Sequence, residues 1–181
     1  AEIFQRNVMA SGVIPQISII MGPCAGGAVY SPAMTDFIFM VRDTSYMYVT
    51  GPDVVKTVTH ESVTHEELGG AVTHSTRSGV ADGIFDNDVE TLVGVRRFVD
   101  FLPGNNREKA PKLDSEDSVE RVEKSLDTLV PNSSNTPYNM KELILKIVDR
   151  GDFFELQPDH AGNIVIGLAR MGGATIGVVA N

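Results

Sequence analysis

The run Ile14-Pro15-Gln16-Ile17-Ser18-Ile19-Ile20-Met21 is short, rich in β-branched residues and halted by Gly22-Pro23, the pattern of a buried strand. Its neighbours fix the fold class, because strand runs and helical patterns take turns through residue 103. Before it, Ile3, Phe4, Val8 and Met9 carry helical spacing up to a Ser11-Gly12 stop. After it, residues 27–36 leave room for a helical turn or two, limited by Pro32. Residues 37–41 and 45–50 are two further strands parted by the polar turn Arg42-Asp43-Thr44. Pro52 and Asp53 suit the first turn of a helix. Residues 65–79 are polar and glycine-punctuated, 80–85 are a short strand, and the stretch from His60 to His65 reads as a polar, partly exposed loop around a helix end. Residues 86–103 form a capped amphipathic helix with Val89, Leu92, Val93, Phe98 and Leu102 on its apolar side. The alternation makes this region α/β.

From Pro103 to about Asp127 large apolar side chains nearly vanish, as in a linker or solvated arm. A second segment follows, with a helix that turns Met140, Leu143, Ile144, Ile147 and Val148 inward. Gly172-Gly173 then sits between two β-rich runs, a hairpin signal. Both ends read as cut, the first because helical spacing is already under way without an initiator Met, the second because it stops on a strand. The expectation is a piece of a longer polypeptide.

Charge and cysteine content remove several function classes. The 181 residues carry a formal charge of -9 and a pI near 4.8, with no basic cluster to meet nucleic-acid phosphates. The longest apolar runs fall short of the roughly 20 residues that span a bilayer. Cys24, the single cysteine, cannot close an internal disulfide, which favours the interior of a cell.

Three motifs carry chemistry or imitate it. His60 and His65 enclose Glu61-Ser62-Val63-Thr64, one residue more than the zinc-protease helix motif, so a helix would point the two rings apart, and no metal is expected. Gly22-Pro23-Cys24-Ala25-Gly26 has the spacing of a nucleophile elbow, for which Cys24 would need a base from His60, His65, His74 or His160. Alternatively, Gly26 and Gly27 open a helix whose amides lack intrahelical partners, a pair able to donate to a carbonyl oxygen that becomes an enolate. On spacing alone, that pair serves equally well to let a helix pack closely on a strand. A non-catalytic, oligomer-forming domain is the third class.

Residues 11–41, followed by Ser45–Thr59 and Glu66–Asp82, resemble the carboxyltransferase subunit of biotin-dependent acyl-CoA carboxylases, closest to its propionyl-CoA branch, and the likeness runs essentially end to end. The resemblance implies two crotonase-like domains of repeated ββα units. Residues 1–114 would be the end of the first, 115–137 a linker and 138–181 the start of the second. It implies carboxyl transfer from carboxybiotin to the α-carbon of an acyl-CoA, propionyl-CoA giving methylmalonyl-CoA, with related decarboxylases and transcarboxylases sharing the fold. Gly26 and Gly27 match the pair whose amides hold the thioester oxygen. Residues 149–181 match an acyl-CoA-binding stretch, within which Phe153, Phe154, Asn163 and Arg170 are the candidates. Biotin would arrive on a partner α subunit that carries the biotin carboxylase and carrier functions, not on this chain. The subunits would assemble as dimers within a hexamer, in a bacterial cytoplasm or a mitochondrial matrix, without nucleic acid or membrane. The family's upstream glycine-rich acyl-CoA segment and its downstream Gly-Gly-Ala-Tyr pair are not in this sequence, so the piece alone should be inactive.

Overall fold

The run Phe37-Ile38-Phe39-Met40-Val41 has no polar residue to turn toward water, and it lies at the centre of a three-stranded parallel sheet. A computed structural model describes residues 2–133 and 135–181. Its elements begin with the helix Glu2–Ala10 (α1) and the strands Ile17–Ile20 (β1), Pro23–Ala25 (β2), Phe37–Val41 (β3) and Tyr46–Tyr48 (β4). The helices Pro52–Thr59 (α2), His65–Gly69 (α3) and Ala71–Thr76 (α4) precede strand Gly83–Phe85 (β5) and helix Asp88–Val99 (α5). Helices Leu126–Leu129 (α6) and Met140–Ile147 (α7) and strands Phe153–Leu156 (β6), Val165–Met171 (β7) and Ala174–Ala180 (β8) complete it. Two compact units result: residues up to Lys109 with Gln157–Ala161, and Ala110–Leu156 with Gly162–Asn181.

In the first unit β1, β3 and β5 pair in parallel, with Ile17 opposite Phe37 and Phe39 opposite Gly83. β2 and β4 form a separate parallel pair, with Pro23 opposite Tyr46. Each ββ step therefore sends one strand to each sheet before the chain enters a helix or turn, the ββα repeat of a crotonase-like α/β fold. β3 is buried on both faces. Ile38 and Met40 join Ile20, Val29, Met47, Ala71 and Ala81 in one apolar cluster. Phe37 and Phe39 meet Phe98 of α5 edge-on, with ring centroids 4.6 and 5.2 Å apart. Each fully buried phenylalanine contributes roughly 2–3 kcal/mol.

One expectation for this unit, the inward face of α5, needs correction. The polar, glycine-punctuated residues 65–76 are two short helices. Thr64 and Glu67 form a capping box, the Glu67 amide donating to Thr64 Oγ1 at 3.1 Å and the Thr64 amide to Glu67 Oε2 at 2.8 Å. The glycines mark the break between α3 and α4 rather than an irregular stretch. On α5, capped by Asn87, the buried side chains are Thr91, Val95 and Phe98, while Val89, Leu92 and Val93 are 70, 51 and 64% exposed. Thr91, Val95 and Phe98 share a face at i, i+4, i+7, and Thr91 can be buried because its hydroxyl donates to the Asn87 carbonyl at 2.9 Å. Hydropathy alone ranks the valines above a threonine and so picks the wrong stripe.

In the second unit Ile144 and Val148 of the α7 region pack on Val165 and Ala169 beneath the antiparallel sheet β6-β7-β8. Ile147, expected inward, is 40% exposed, because the step that keeps the face of Ile144 is the four-residue step to Val148. The β7–β8 hairpin turns at Gly172-Gly173, both at positive φ (59° and 76°), as a two-residue type I′ turn requires. One carboxylate holds that turn: the Gly172 and Gly173 amides donate to Asp149 Oδ1 and Oδ2 at 3.0 and 2.7 Å.

Candidate active site

β2 ends at Ala25 in extended backbone, and the chain then reverses through Gly26, whose φ of +61° favours glycine. Gly26–Val29 is a four-residue 3-10 turn. The expected helical turn or two is this 3-10 turn and a second at Pro32–Met34; a turn so short sums almost no macrodipole, so whatever it offers a ligand comes from individual backbone amides. The first amides of such a turn have no acceptor within it.

Gly26 and Gly27 are glycines for different reasons. Gly26 needs the left-handed conformation, and a Cβ there would have only the Val49 carbonyl near it, at 3.9 Å. Gly27 is exposed, its φ is not in that region, and a Cβ would meet nothing within 4 Å. Close packing therefore does not explain Gly27. The fold would accept a side chain there, and what the missing side chain leaves is open space beside the turn.

Cys24 lies earlier, on β2, in register with Met47. It packs against the apolar cluster, and burial pushes its thiol pKa above the ordinary value. A thiol on the strand, facing the core and shifted toward its neutral form, is not the exposed, activated nucleophile an elbow presents.

The histidines find other uses. His60 ends α2 at φ +62° and His65 begins α3, so no single helix carries both rings. His74 Nε2 lies 2.6 Å from the Met47 carbonyl, and Nδ1 lies 2.8 Å from Ser78 Oγ. With the ring neutral, Nε2–H donates to the carbonyl and Nδ1 accepts from the serine. His65 Nδ1 lies 2.6 Å from Tyr48 Oη. His160 Nδ1 lies 3.2 Å from the Thr76 carbonyl and donates to it. Among the described residues no cluster of three or more His, Cys, Asp or Glu gathers that could hold a metal ion. Tyr48 went unnoticed in the sequence, although the alternation Tyr46-Met47-Tyr48, with only Met47 buried, already places both tyrosines on the outer face of β4.

In the second unit Phe153 and Phe154 begin β6, Phe154 buried and Phe153 half-buried. Arg170 on β7 is 5% exposed; its Nε is 3.4 Å from Asp152 Oδ2, and its Nη1 donates to the Pro111 carbonyl at 3.4 Å. Asn163 is exposed in the turn before β7. β6 and β7 therefore bring Phe153, Phe154 and Arg170 onto one sheet, with Asn163 in the loop between them.

Comparison with known proteins gives these positions a family. The carboxyl transferase domain model matches residues 1–181. The chain is 70% identical to the propionyl-CoA carboxylase beta chain of Cereibacter sphaeroides, covering all of this chain and 36% of that one. It is 60% identical to the mitochondrial propionyl-CoA carboxylase beta chain of Sus scrofa, covering all of this chain and 34% of that one. The crystal structure of the transcarboxylase 12S hexamer with methylmalonyl-coenzyme A and methylmalonic acid bound superposes with a TM-score of 0.95 at 43% identity, over 99% of this chain and 35% of that one. The chain thus spans about a third of the length of these relatives, bacterial and mitochondrial alike. With a family match along its whole length, the chain belongs to the carboxyl transferase domain family.

Proposed function

We propose that this chain supplies the acyl-side oxyanion donors of a biotin-dependent acyl-CoA carboxyltransferase, with propionyl-CoA as substrate and methylmalonyl-CoA as product. The observation that carries the reading is Gly27: neither backbone conformation nor packing asks for glycine there, whereas a ligand brought against the turn does. The Gly26 and Gly27 amides hold the thioester oxygen as it gains negative charge, lowering the barrier to loss of the α-proton. Biotin, carried on a partner α subunit, would supply the CO2 from its carboxylated form and, once decarboxylated, a ureido nitrogen as base. The α-carbon of the enolate then forms its new bond to that CO2. No side-chain acid or base of this chain is needed, which suits a Cys24 held neutral in the core.

Residues 1–114 are the end of the first carboxyltransferase domain and 138–181 the start of the second, joined by 115–137. Phe153, Phe154, Asn163 and Arg170 belong to the acyl-CoA-binding stretch, half-buried Phe153 and exposed Asn163 as its accessible side chains and buried Phe154 and Arg170 holding the sheet beneath them. The assembly is an oligomer of like subunits, dimers within a hexamer, working in a bacterial cytoplasm or a mitochondrial matrix. The transcarboxylase likeness favours one alternative, transfer of the carboxyl group from methylmalonyl-CoA to the carrier, which uses the same oxyanion pair in reverse.

Gly27→Val in the full-length subunit, assayed with its carrier, tests the reading. The position has an ordinary φ, and a Cβ there meets nothing within 4 Å. Turnover falls about a hundredfold with the melting temperature unchanged. Full turnover in a folded Gly27→Val enzyme refutes the assignment.

A further inference from the structure

The parallel register that sets Pro23 opposite Tyr46 also sets Ala25, the residue before Gly26, opposite Tyr48. Tyr48 is therefore the side chain at the end of β4 that stands beside the entry to the glycine turn. Just beyond it the Val49 carbonyl is the atom closest to the space above Gly26. Tyr48 is itself tied down from α3. Its hydroxyl lies 2.6 Å from His65 Nδ1, and the His65 ring lies over both tyrosines of the strand, with centroids 5.4 Å from Tyr46 and 5.8 Å from Tyr48. Two other contacts fix α3 and α4 against the same strand: Gly69 lies so close to the Met47 carbonyl that no side chain fits, and His74 donates to that carbonyl.

We propose that His65 is a positioning residue for carboxyl transfer, acting through Tyr48 to hold the end of β4 and, across the β2–β4 ladder, the entry to the Gly26–Gly27 turn. This rests on the reading of that pair as the oxyanion donors. The link is direct at each step: imidazole to phenol by hydrogen bond, Tyr48 to Ala25 by strand pairing, Ala25 to Gly26 by the chain. The phenol donates to Nδ1 where that nitrogen carries no proton and accepts from it where it does, so the tether holds in either tautomer. Amides aimed at a developing charge act only if they are held in place, and small displacements of such groups are costly.

The test uses the holoenzyme, full-length subunit with its biotin carrier, and propionyl-CoA. His65→Ala and Tyr48→Phe each lower kcat about tenfold with KM for propionyl-CoA changed less than about twofold. The double variant is no worse than either single one, because both cut the same tether. His65→Asn, whose Oδ1 overlays Nδ1 and can accept from the phenol, restores most of kcat. Hydrogen exchange read by mass spectrometry on the peptide spanning residues 21–33 quickens in His65→Ala and returns to normal in His65→Asn. Tyr48→Phe, which keeps the ring, serves if His65→Ala fails to fold. Wild-type kcat in Tyr48→Phe and His65→Ala, or losses that multiply in the double variant, overturns the proposal. If Gly27→Val is then inactive, only the positioning role falls. If Gly27→Val is fully active, the oxyanion reading falls and takes the positioning role with it.

Discussion

Asp82 and Ile38 hold each other twice: the Ile38 amide donates to Asp82 Oδ2 at 2.8 Å, and the Asp82 amide donates to the Ile38 carbonyl at 2.8 Å. Gln157 adds to the clasp, its amide donating to the Asp82 carbonyl at 2.8 Å and its Nε2 to Asp82 Oδ1 at 3.2 Å. Burial nonetheless outweighs the Ile38 and Gln157 hydrogen bonds and raises the Asp82 pKa. Between the ordinary carboxylate value and this raised one the native state binds more protons than the unfolded chain. Its contribution is therefore fully present below the ordinary value and is lost as pH rises through the folded one. Urea unfolding against pH should show that decline in wild type and not in Asp82→Asn. At neutral pH Asp82→Ala should cost about 2 kcal/mol, because it leaves the Ile38 amide without its acceptor.

Asp149 should show the opposite slope. Partial desolvation pushes its pKa up, but the Gly173 and Gly172 amides, Ser115 and the charge of Arg121 together bring it below the ordinary value. Here the unfolded chain binds more protons in the window, so stability is present above the ordinary value and lost as pH falls through the folded one. Asp149→Ala removes the acceptor for both turn amides. Since the turn is partly solvated, the cost should be about 1 kcal/mol, read as earlier unfolding of the second unit in urea and faster exchange of the Gly172 and Gly173 amides.

Gly69 and Gly27 should respond in opposite ways to the same methyl group. A Cβ on Gly69 collides with the Met47 carbonyl, so Gly69→Ala must push α3 off β4 and should cost about 3 kcal/mol by thermal or chemical unfolding. Gly27→Ala meets open space and should change stability by less than about 0.5 kcal/mol. Equal losses in the two variants would contradict the geometry.

Cys24 should prove chemically quiet. With its thiol half-buried and shifted toward the neutral form, alkylation by iodoacetamide at neutral pH should run at least about tenfold slower than that of a free cysteine. Cys24→Ala should cost about 1 kcal/mol of packing and leave turnover of the holoenzyme intact. Loss of turnover without loss of fold would revive the nucleophile.

The strands and the hairpin were legible because their signals are local: Phe37–Val41 has nothing polar to expose, and Gly172-Gly173 can hardly do anything but turn. The helix boundary at Thr64 is equally local, since Thr64 and Glu67 spell a capping box. The inward face of α5 was not local. Thr91 beats Leu92 for the core because of where Phe37 and Phe39 present their rings. At the site, the resemblance singled out Gly26 and Gly27, while the Tyr48–His65 contact joins positions 17 residues apart in sequence and emerges only when α3 is laid on β4.

The parallel pairing of the first unit sets an order of assembly. Among the described residues none of its ladders is a hairpin: Ile17 waits for Phe37 across β2 and two 3-10 turns, and Phe39 waits for Gly83 across β4 and three helices. Loop-closure entropy thus falls due early and contact energy is recovered late. The clasp on Asp82 delays completion further, because Gln157 belongs to the first unit yet is translated after α7 and β6. On the ribosome, strands β1, β3 and β5 emerge before Gln157 does, and through that interval the sheet lacks the residue that completes the clasp.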